Sequence, residues 1–236
     1  MSNNKTAIIT GGTKGIGKAV VKRFASGGFN IISCARNADD LKALKSEVEA
    51  EFDIILHVLA ADLSKKNEVI KFADFVHENA AEIEVLVNNT GVFLPGSISE
   101  EPEGNLELMM NTNLFSAYHL TRALLSKFIT QKAGHIFSIS SIAGITAYAS
   151  GGSYSITKYA MQGFTKCLRE ELKEKGIRVT AVLPGATFTA SWEGVDLPQE
   201  RFMKSEDIAE AVFSAYSLSN QTVVEEIVLR PQLGDL

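Results

Sequence analysis

At 236 residues, 45% hydrophobic and 22% charged, the chain is long enough to bury a sizeable core and has the composition of an ordinary globular protein. Its formal net charge of -5 supplies no basic stripe for nucleic acid, and no apolar run is long enough to span a bilayer. Two cysteines (Cys34, Cys167) and four scattered histidines make no disulfide framework and no metal or triad pattern. With no signal peptide ahead of the first strand-like segment, the expectation is a cytoplasmic enzyme or binding protein without a metal.

Residues 5–10 read as a short buried strand, followed by Thr10-Gly11-Gly12-Thr13-Lys14-Gly15-Ile16-Gly17 and then the helical pattern Ala19, Val20, Phe24. Glycines between a strand and a helix let the main chain approach a pyrophosphate, and the free N–H groups at the helix start receive it. The spacing is G-x-x-x-G-x-G rather than G-x-G-x-x-G, and a glycine cluster alone also suits a tight turn. The strand–loop–helix context favours a nucleotide. Residues 30–34 form a second strand, ending in Cys34-Ala35-Arg36 where an NAD-binding chain usually carries an acid for the ribose. Arg36 accepts a 2′-phosphate, and Lys14 adds a positive charge on the same side, which favours NADP. The rival reading gives the ribose to Asp39 or Asp40. Both look better placed to open the next helix, as cap and first-turn acids.

A third strand, 54–59, runs into Ala61-Asp62-Leu63-Ser64. Asp62 either accepts from an adenine amino group or caps the helix expected over 67–79. The strand 84–87 ends in Asn88-Asn89-Thr90-Gly91. Helix 105–131, strand 135–140, helix 154–175, strand 178–183, helix 205–219 and strand 223–229 complete the pattern. Seven strands alternating with six helices predict one α/β domain over 1–236, a Rossmann-like, doubly wound parallel sheet flanked by helices. Ligands of such sheets sit beyond the carboxyl ends of the strands. The glycine loop, Asp62, residues 88–91 and Ser141 fall there.

Tyr154 and Lys158 are four residues apart, one turn on one helix face. A phenol near pKa ~10 is a poor acid at neutral pH, and a neighbouring ammonium is expected to lower that value. The pair is a candidate acid/base, although the same spacing occurs on solvated helix faces.

Taken together these residues resemble the short-chain dehydrogenase/reductase family, over essentially the whole chain. Its glycine loop is similar to 10–17, its Asn-Asn-Ala-Gly element to 88–91 with Thr90 in place of Ala, and its Tyr-x-x-x-Lys to Tyr154 and Lys158. Its catalytic Asn falls on Asn113, with Asn111 the alternative, its Ser on Ser141, and its Pro-Gly on Pro184 and Gly185 with Thr189 beyond. The resemblance implies NADP(H)-dependent reduction of a carbonyl to an alcohol. Ser141 would bond the carbonyl oxygen, Tyr154 deliver the proton, Lys158 bind the nicotinamide ribose, and Asn113 hold a relay water. The implied cofactor set is Gly11, Thr13, Lys14, Gly15, Ile16, Gly17, Arg36, Asp62, Leu63, Asn89, Gly91, Tyr154, Lys158, Pro184, Gly185, Thr187 and Thr189. The C-terminal third resembles the bacterial sepiapterin reductases of this family, which points to a pterin side-chain ketone with Ser141, Tyr148 and Trp192 at the substrate. Trp192 reads equally as a lid or an interface residue. A 3-oxoacyl or other small-ketone reductase (or 3-hydroxy acid dehydrogenase) is the alternative, and a non-catalytic NADP-binding regulator the rival of another class. The helices from Asn105 and around Tyr154 are the family's usual pairing faces, which implies a homodimer or homotetramer.

Overall fold

Strands form where short aliphatic runs are buried on both faces, as a parallel sheet between two helical layers demands. The computed structural model describes residues 5–189 and 197–235. Within them lie β1 (Thr6–Thr10), β2 (Asn30–Ala35), β3 (Leu56–Ala60), β4 (Val85–Asn88), β5 (His135–Ile139), β6 (Arg178–Pro184) and β7 (Glu226–Leu229). They pair in parallel in the order β3-β2-β1-β4-β5-β6-β7. The chain builds outward from β1 through β2 to β3, then crosses to β4 on the other side of β1. That reversal opens a crevice above the carboxyl ends of β1 and β4, the usual ligand position in an open α/β sheet.

The helices are α1 (Gly15–Ser26), α2 (Ala38–Glu51), α3 (Lys66–Asn79), α4 (Asn105–Met109), α5 (Ser116–Gln131), α6 (Gly152–Leu172) and α7 (Ser205–Ser217). Two apolar cores follow from the alternation of strand side chains. Ile9, Ile31 and Val87 face α1, α2 and α7 on one side of the sheet. Ile8, Ile32 and Leu86 face α3, α5 and α6 on the other. No described helix is long and apolar enough to cross a membrane.

Local chemistry sets the helix ends. Helix α1 stops where Gly28 takes φ +80°, a left-handed residue that lets Phe29 N–H reach back to Phe24 O (3.2 Å) and Gly28 N–H to Ala25 O (2.9 Å). Helix α2 is capped by Asn37, whose Oδ1 accepts from the amides of Asp39 (2.8 Å) and Asp40 (3.1 Å). The two acids stand in the first turn, and neither is the cap. The helix expected over 105–131 stays helical but is interrupted, with residues Met110–Phe115 forming a π-helical turn between α4 and α5. The last strand is shorter than its apolar run, starting at Glu226 instead of 223.

Helix α1 is fastened to α7 by an aromatic cluster. The Phe24 ring meets Phe29 edge-on at 5.1 Å and Phe213 at 5.2 Å, and is fully buried. Phe24→Ala is expected to cost about 3–5 kcal/mol, as lost transfer energy plus a cavity. Urea unfolding at pH 7 measures this. A loss below about 1 kcal/mol would mean that α7 collapses into the space.

Candidate active site

At the carboxyl end of β1, Gly11 (φ +68°) and Gly15 (φ +49°) take main-chain angles that side chains avoid. Gly17 allows a close approach, since a Cβ there would lie 2.1 Å from Gly11 O. Gly11 N–H and Gly12 N–H both point to Cys34 O (2.9 and 3.3 Å), which ties the loop to the end of β2. Asn89 stitches it from the β4 side. Its Nδ2 donates to Thr10 O (2.9 Å) and Gly11 O (3.2 Å), while Thr10 Oγ1 accepts from the amides of Asn89 (2.9 Å) and Thr90 (3.0 Å). The Asn89 amide therefore shapes the loop. Helix α1 begins at Lys14 with no side-chain cap and no acid in its first turn. Its first N–H groups and positive dipole end thus face the crevice without an internal anion, a donor set that fits a phosphate.

The remaining members of the expected cofactor set lie around this crevice. Thr13 and Ile16 are half-buried in the loop, and Ile16 packs on the core below. A Cβ on Gly15 would come within 2.9 Å of the Thr189 methyl, so Thr189 stands over the loop. Thr187 is buried and donates to Gly185 O (3.1 Å), just after Pro184 ends β6. Gly185 N–H donates to Leu229 O (2.8 Å). Arg36 is exposed at the end of β2 and forms no ion pair with a described residue. Lys14 has Asp40 3.8 Å from its ammonium, so an acid does lie beside one of the two cations. Leu63 is buried. Asp62 does not cap α3, because Lys65 occupies that position. Its carboxylate instead accepts from Ser64 N–H (3.2 Å) and Ser64 Oγ–H (2.7 Å) and pairs with Lys65 (3.3 Å).

Four side chains converge beside this crevice. Ser141 follows β5 and caps a short 3₁₀ turn (Ile142–Gly144) through its Oγ, which accepts from Ala143 N–H (3.1 Å). Tyr154 and Lys158 lie in the first two turns of α6. The ammonium of Lys158, 5% exposed, donates to Ile139 O (3.0 Å) and lies 5.5 Å from the centre of the Tyr154 ring. Asn113 sits in the π-helical turn, fully buried, whereas Asn111 is exposed. The Asn113 amide donates to Val92 O (3.0 Å) and Thr157 Oγ1 (3.0 Å), and its Oδ1 accepts from Val92 N–H (2.7 Å). Gly91 lies against this group. A Cβ there would be 3.3 Å from Asn113 Oδ1 and 3.8 Å from Lys158 Nζ, so the glycine lets the main chain come close to both side chains.

The electrostatics correct one expectation. Burial pushes the Tyr154 phenol up to about 12, and a hydrogen bond with Ser141 opposes that rise only in part. Lys158 does not bring it down, because its ammonium is aimed at Ile139 O and not at the phenol oxygen. Burial pulls Lys158 itself down to about 8. At neutral pH Tyr154 is therefore the neutral phenol, a proton donor, and Lys158 is mostly cationic.

Around Tyr154 the walls are apolar. Phe93 meets its ring edge-on at 4.8 Å. Phe188, on the loop after β6, is half exposed, packs on Phe202 at 5.7 Å and lines a different pocket with Gly15 and Ala19. Tyr148 raises the Tyr154 phenol slightly and lines a groove of about 700 Å³ with Ile98, Ile156 and Tyr159. That groove opens on the outer face of α6, so Tyr148 borders both regions. Trp192 lies outside the described residues. Sequence reasoning missed Thr157 as the partner of Asn113 and Glu101 as the partner of Ser153. The polar run Thr112, Asn113 and Ser116 was the available signal, although charged and polar residues elsewhere in 105–131 dilute it.

Residues 5–199 match the family model described as short chain dehydrogenase. A sepiapterin reductase of Chlorobaculum tepidum is 35% identical over 237 residues, covering 97% of each chain. A diacetyl reductase [(S)-acetoin forming] of Staphylococcus epidermidis is 37% identical over 218 residues, covering 91% of this chain and 83% of that one. Among solved structures, a metagenomic short-chain oxidoreductase in complex with NADP superposes with a TM-score of 0.85, at 29% identity and 97% coverage of both chains.

Lys158→Met tests the cost of the buried charge. Below pH 8 the folded protein holds an ammonium that burial disfavours. Between pH 8 and the ordinary lysine value the folded lysine is neutral while the unfolded one is still charged, so wild-type stability climbs with pH. The variant lacks that climb. It is expected to melt higher than wild type at pH 7, with the gap narrowing through that window in thermal scans. A variant less stable at pH 7 would show that the bond to Ile139 outweighs desolvation.

Proposed function

The chain belongs to the short-chain dehydrogenase/reductase family of oxidoreductases, and from that membership we propose that it reduces a carbonyl to an alcohol with NADPH. The observation that carries the reading is the convergence of Ser141, a neutral Tyr154 and a buried cationic Lys158 beside an uncapped helix start. The glycine loop and the first turn of α1 would hold the cofactor phosphates, with Arg36 and Lys14 toward the 2′-phosphate. Bound there, the nicotinamide supplies hydride to the carbonyl carbon. Ser141 Oγ–H donates to the carbonyl oxygen, where negative charge develops. Tyr154 gives that oxygen its proton. The phenolate left behind lies in a buried site that opposes its formation, with the Lys158 ammonium hydrogen-bonded to Ile139 O nearby. Lys158 would also hold the nicotinamide ribose. The Asn113 amide is spent on Val92 and Thr157, so any relay water it holds is bound by its main chain.

The substrate is a pterin side-chain ketone. Support comes from the full-length likeness to the Chlorobaculum tepidum sepiapterin reductase and from the apolar walls around Tyr154. A small diketone is the second reading, favoured by the Staphylococcus epidermidis diacetyl reductase. The enzyme works in the cytoplasm as a homodimer or homotetramer. Exposed Leu106, Leu108, Phe115 and Tyr118 beside exposed Ile156 and Tyr159 support such pairing.

NADPH oxidation followed by absorbance, with sepiapterin, diacetyl and an acetoacetyl thioester, tests the activity and ranks the substrates. Tyr154→Phe is expected to lower kcat roughly 10²–10⁴-fold with little change in NADPH affinity. Near-normal turnover in this variant would remove Tyr154 from the chemistry.

Cofactor choice has its own test. A charged hydrogen bond to phosphate is worth about 1.5–3 kcal/mol, so Arg36→Ala is expected to weaken NADPH binding roughly ten- to a hundredfold and to spare NADH. Equal losses for both cofactors, measured by titration, would make Arg36 structural.

A further inference from the structure

Helix α6 carries both Tyr154 and Lys158, yet it has no cap of its own. The N-cap residue is Gly151, which offers no side chain, and the first turn contains no acid. A carboxylate arrives from elsewhere in the chain. Glu101, at the far end of the segment that leaves β4, points both carboxylate oxygens at Ser153. Its Oε2 accepts from Ser153 N–H (3.4 Å), and its Oε1 accepts from Ser153 Oγ–H in a short hydrogen bond. Ser153 is buried, and Glu101 is half-buried. An anion in this position answers one of the unpaired N–H groups of the first turn and the positive end of the helix dipole.

The same junction is closed by main chain. Gly96 N–H donates to Ser150 O (3.1 Å). Gly152 opens the helix at φ +34°, and a Cβ on it would lie 2.3 Å from Gly96 O. No side chain fits at 152 while the segment is docked. Further up the segment, Val92 is held at both its N–H and its C=O by Asn113, and Phe93 lies edge-on to the Tyr154 ring. Residues 92–101 thus form a strap pinned at two points. One end is fixed in the π-helical turn, the other at the start of the helix that presents the proton donor, and Phe93 rests on that donor between them.

We propose that Glu101 is a positioning residue for the reduction. Its carboxylate caps the catalytic helix from outside and fastens the strap, so that the Tyr154 hydroxyl is held toward Ser141 with Phe93 against its ring. Glu101 touches neither cofactor nor substrate and acts only through Ser153 and the strap. The assignment rests on the reduction proposed above for its consequence in rate, and on geometry alone for its consequence in order.

Two measurements on the full-length protein test it. Hydrogen exchange of the ligand-free protein reads the latch directly. Glu101→Ala is expected to speed exchange in the peptides covering residues 92–101 and 152–158 together and to leave those from β1 and α1 unchanged. Steady-state kinetics read its effect on chemistry. Glu101→Ala is expected to lower kcat roughly ten- to a hundredfold, the scale of a misplaced catalytic group, with NADPH affinity within about twofold of wild type. Glu101→Gln restores most of the rate, because its carbonyl still accepts from Ser153 N–H and its amide donates to Ser153 Oγ. Ser153→Ala lowers kcat less, and adds nothing when combined with Glu101→Ala. Unchanged exchange in the two peptides overturns the latch whether or not any carbonyl is reduced. Full activity in Glu101→Ala beside a dead Tyr154→Phe overturns the positioning role and leaves the reaction standing. A parallel loss of kcat, NADPH affinity and melting temperature in both the Ala and Gln variants makes Glu101 a residue of the fold only.

Discussion

A lysine ammonium held almost entirely out of water is the condition around which this site is arranged. Ionised Lys158 has one described hydrogen-bond acceptor, Ile139 O, and burial pulls its proton affinity down by itself. Such a charge is tolerated only where neighbouring main chain is fixed to receive it. Here the fixing is done by close approach. A Cβ on Gly144 would fall 2.7 Å from Lys158 O, and Ser140 Oγ donates to that same carbonyl (3.3 Å). The turn after β5 and the second turn of α6 are therefore one rigid unit, with Ser141 on one side of it and Tyr154 on the other. The cost of burying the charge is set against a geometry that places a cation 5.5 Å from the Tyr154 ring, a common trade of stability for function.

Amide side chains do much of the joining between elements. Asn89 binds the carbonyls of the glycine loop, and Asn113 binds both main-chain groups of Val92. An amide offers two donors and an acceptor at one end of a short, stiff stem, so it substitutes for a strand partner where the chain leaves the sheet. The π-helical turn belongs to the same logic. One extra residue in a turn swings Asn113 inward from a helix whose apolar pattern faces the sheet, and such turns recur at functional sites. Residues that look like ligand contacts in a motif are in part the scaffold on which the contacts rest.

The central strands were legible because each is a run of mostly buried residues between polar breaks, and their parallel order followed from the helices between them. The glycine loop was legible because its conformations exclude side chains, as Gly11 and Gly17 bear out. The choice between Asn113 and Asn111 rested on the Asn-Leu-Phe context alone, and the structure buries the first and exposes the second. Other features depend on distances that spacing does not carry. Asn37, not an aspartate, caps α2, because the side chain two residues before Asp39 happens to face its amide. Asp62 folds back on Ser64 instead of capping α3. The four-residue interval between Tyr154 and Lys158 suggested a lowered phenol, but the helix aims the ammonium at a carbonyl, and burial governs both groups. Glu101 and Ser153 are far apart in the chain and belong to no motif, so nothing local announced their contact.

The strand order also has a consequence for how the molecule comes into being. β1 precedes β2 and β4 in the chain and lies inside the sheet, with β2 against one edge and β4 against the other. Its pairing with β2 closes a short loop, whereas Ala7 must wait for Val85 on the other side. Non-local closures of that kind are slow, and they pay their entropy before any contact returns it. During synthesis the phosphate loop therefore leaves the ribosome well before Asn89, the side chain that shapes it. An emerging chain that stops short of β4 has an unpaired central edge and a glycine loop without its stitches, and exposed strand edges of that sort invite pairing with other chains. The nucleotide crevice is thus a product of long-range assembly, built at the seam where the two halves of the sheet meet.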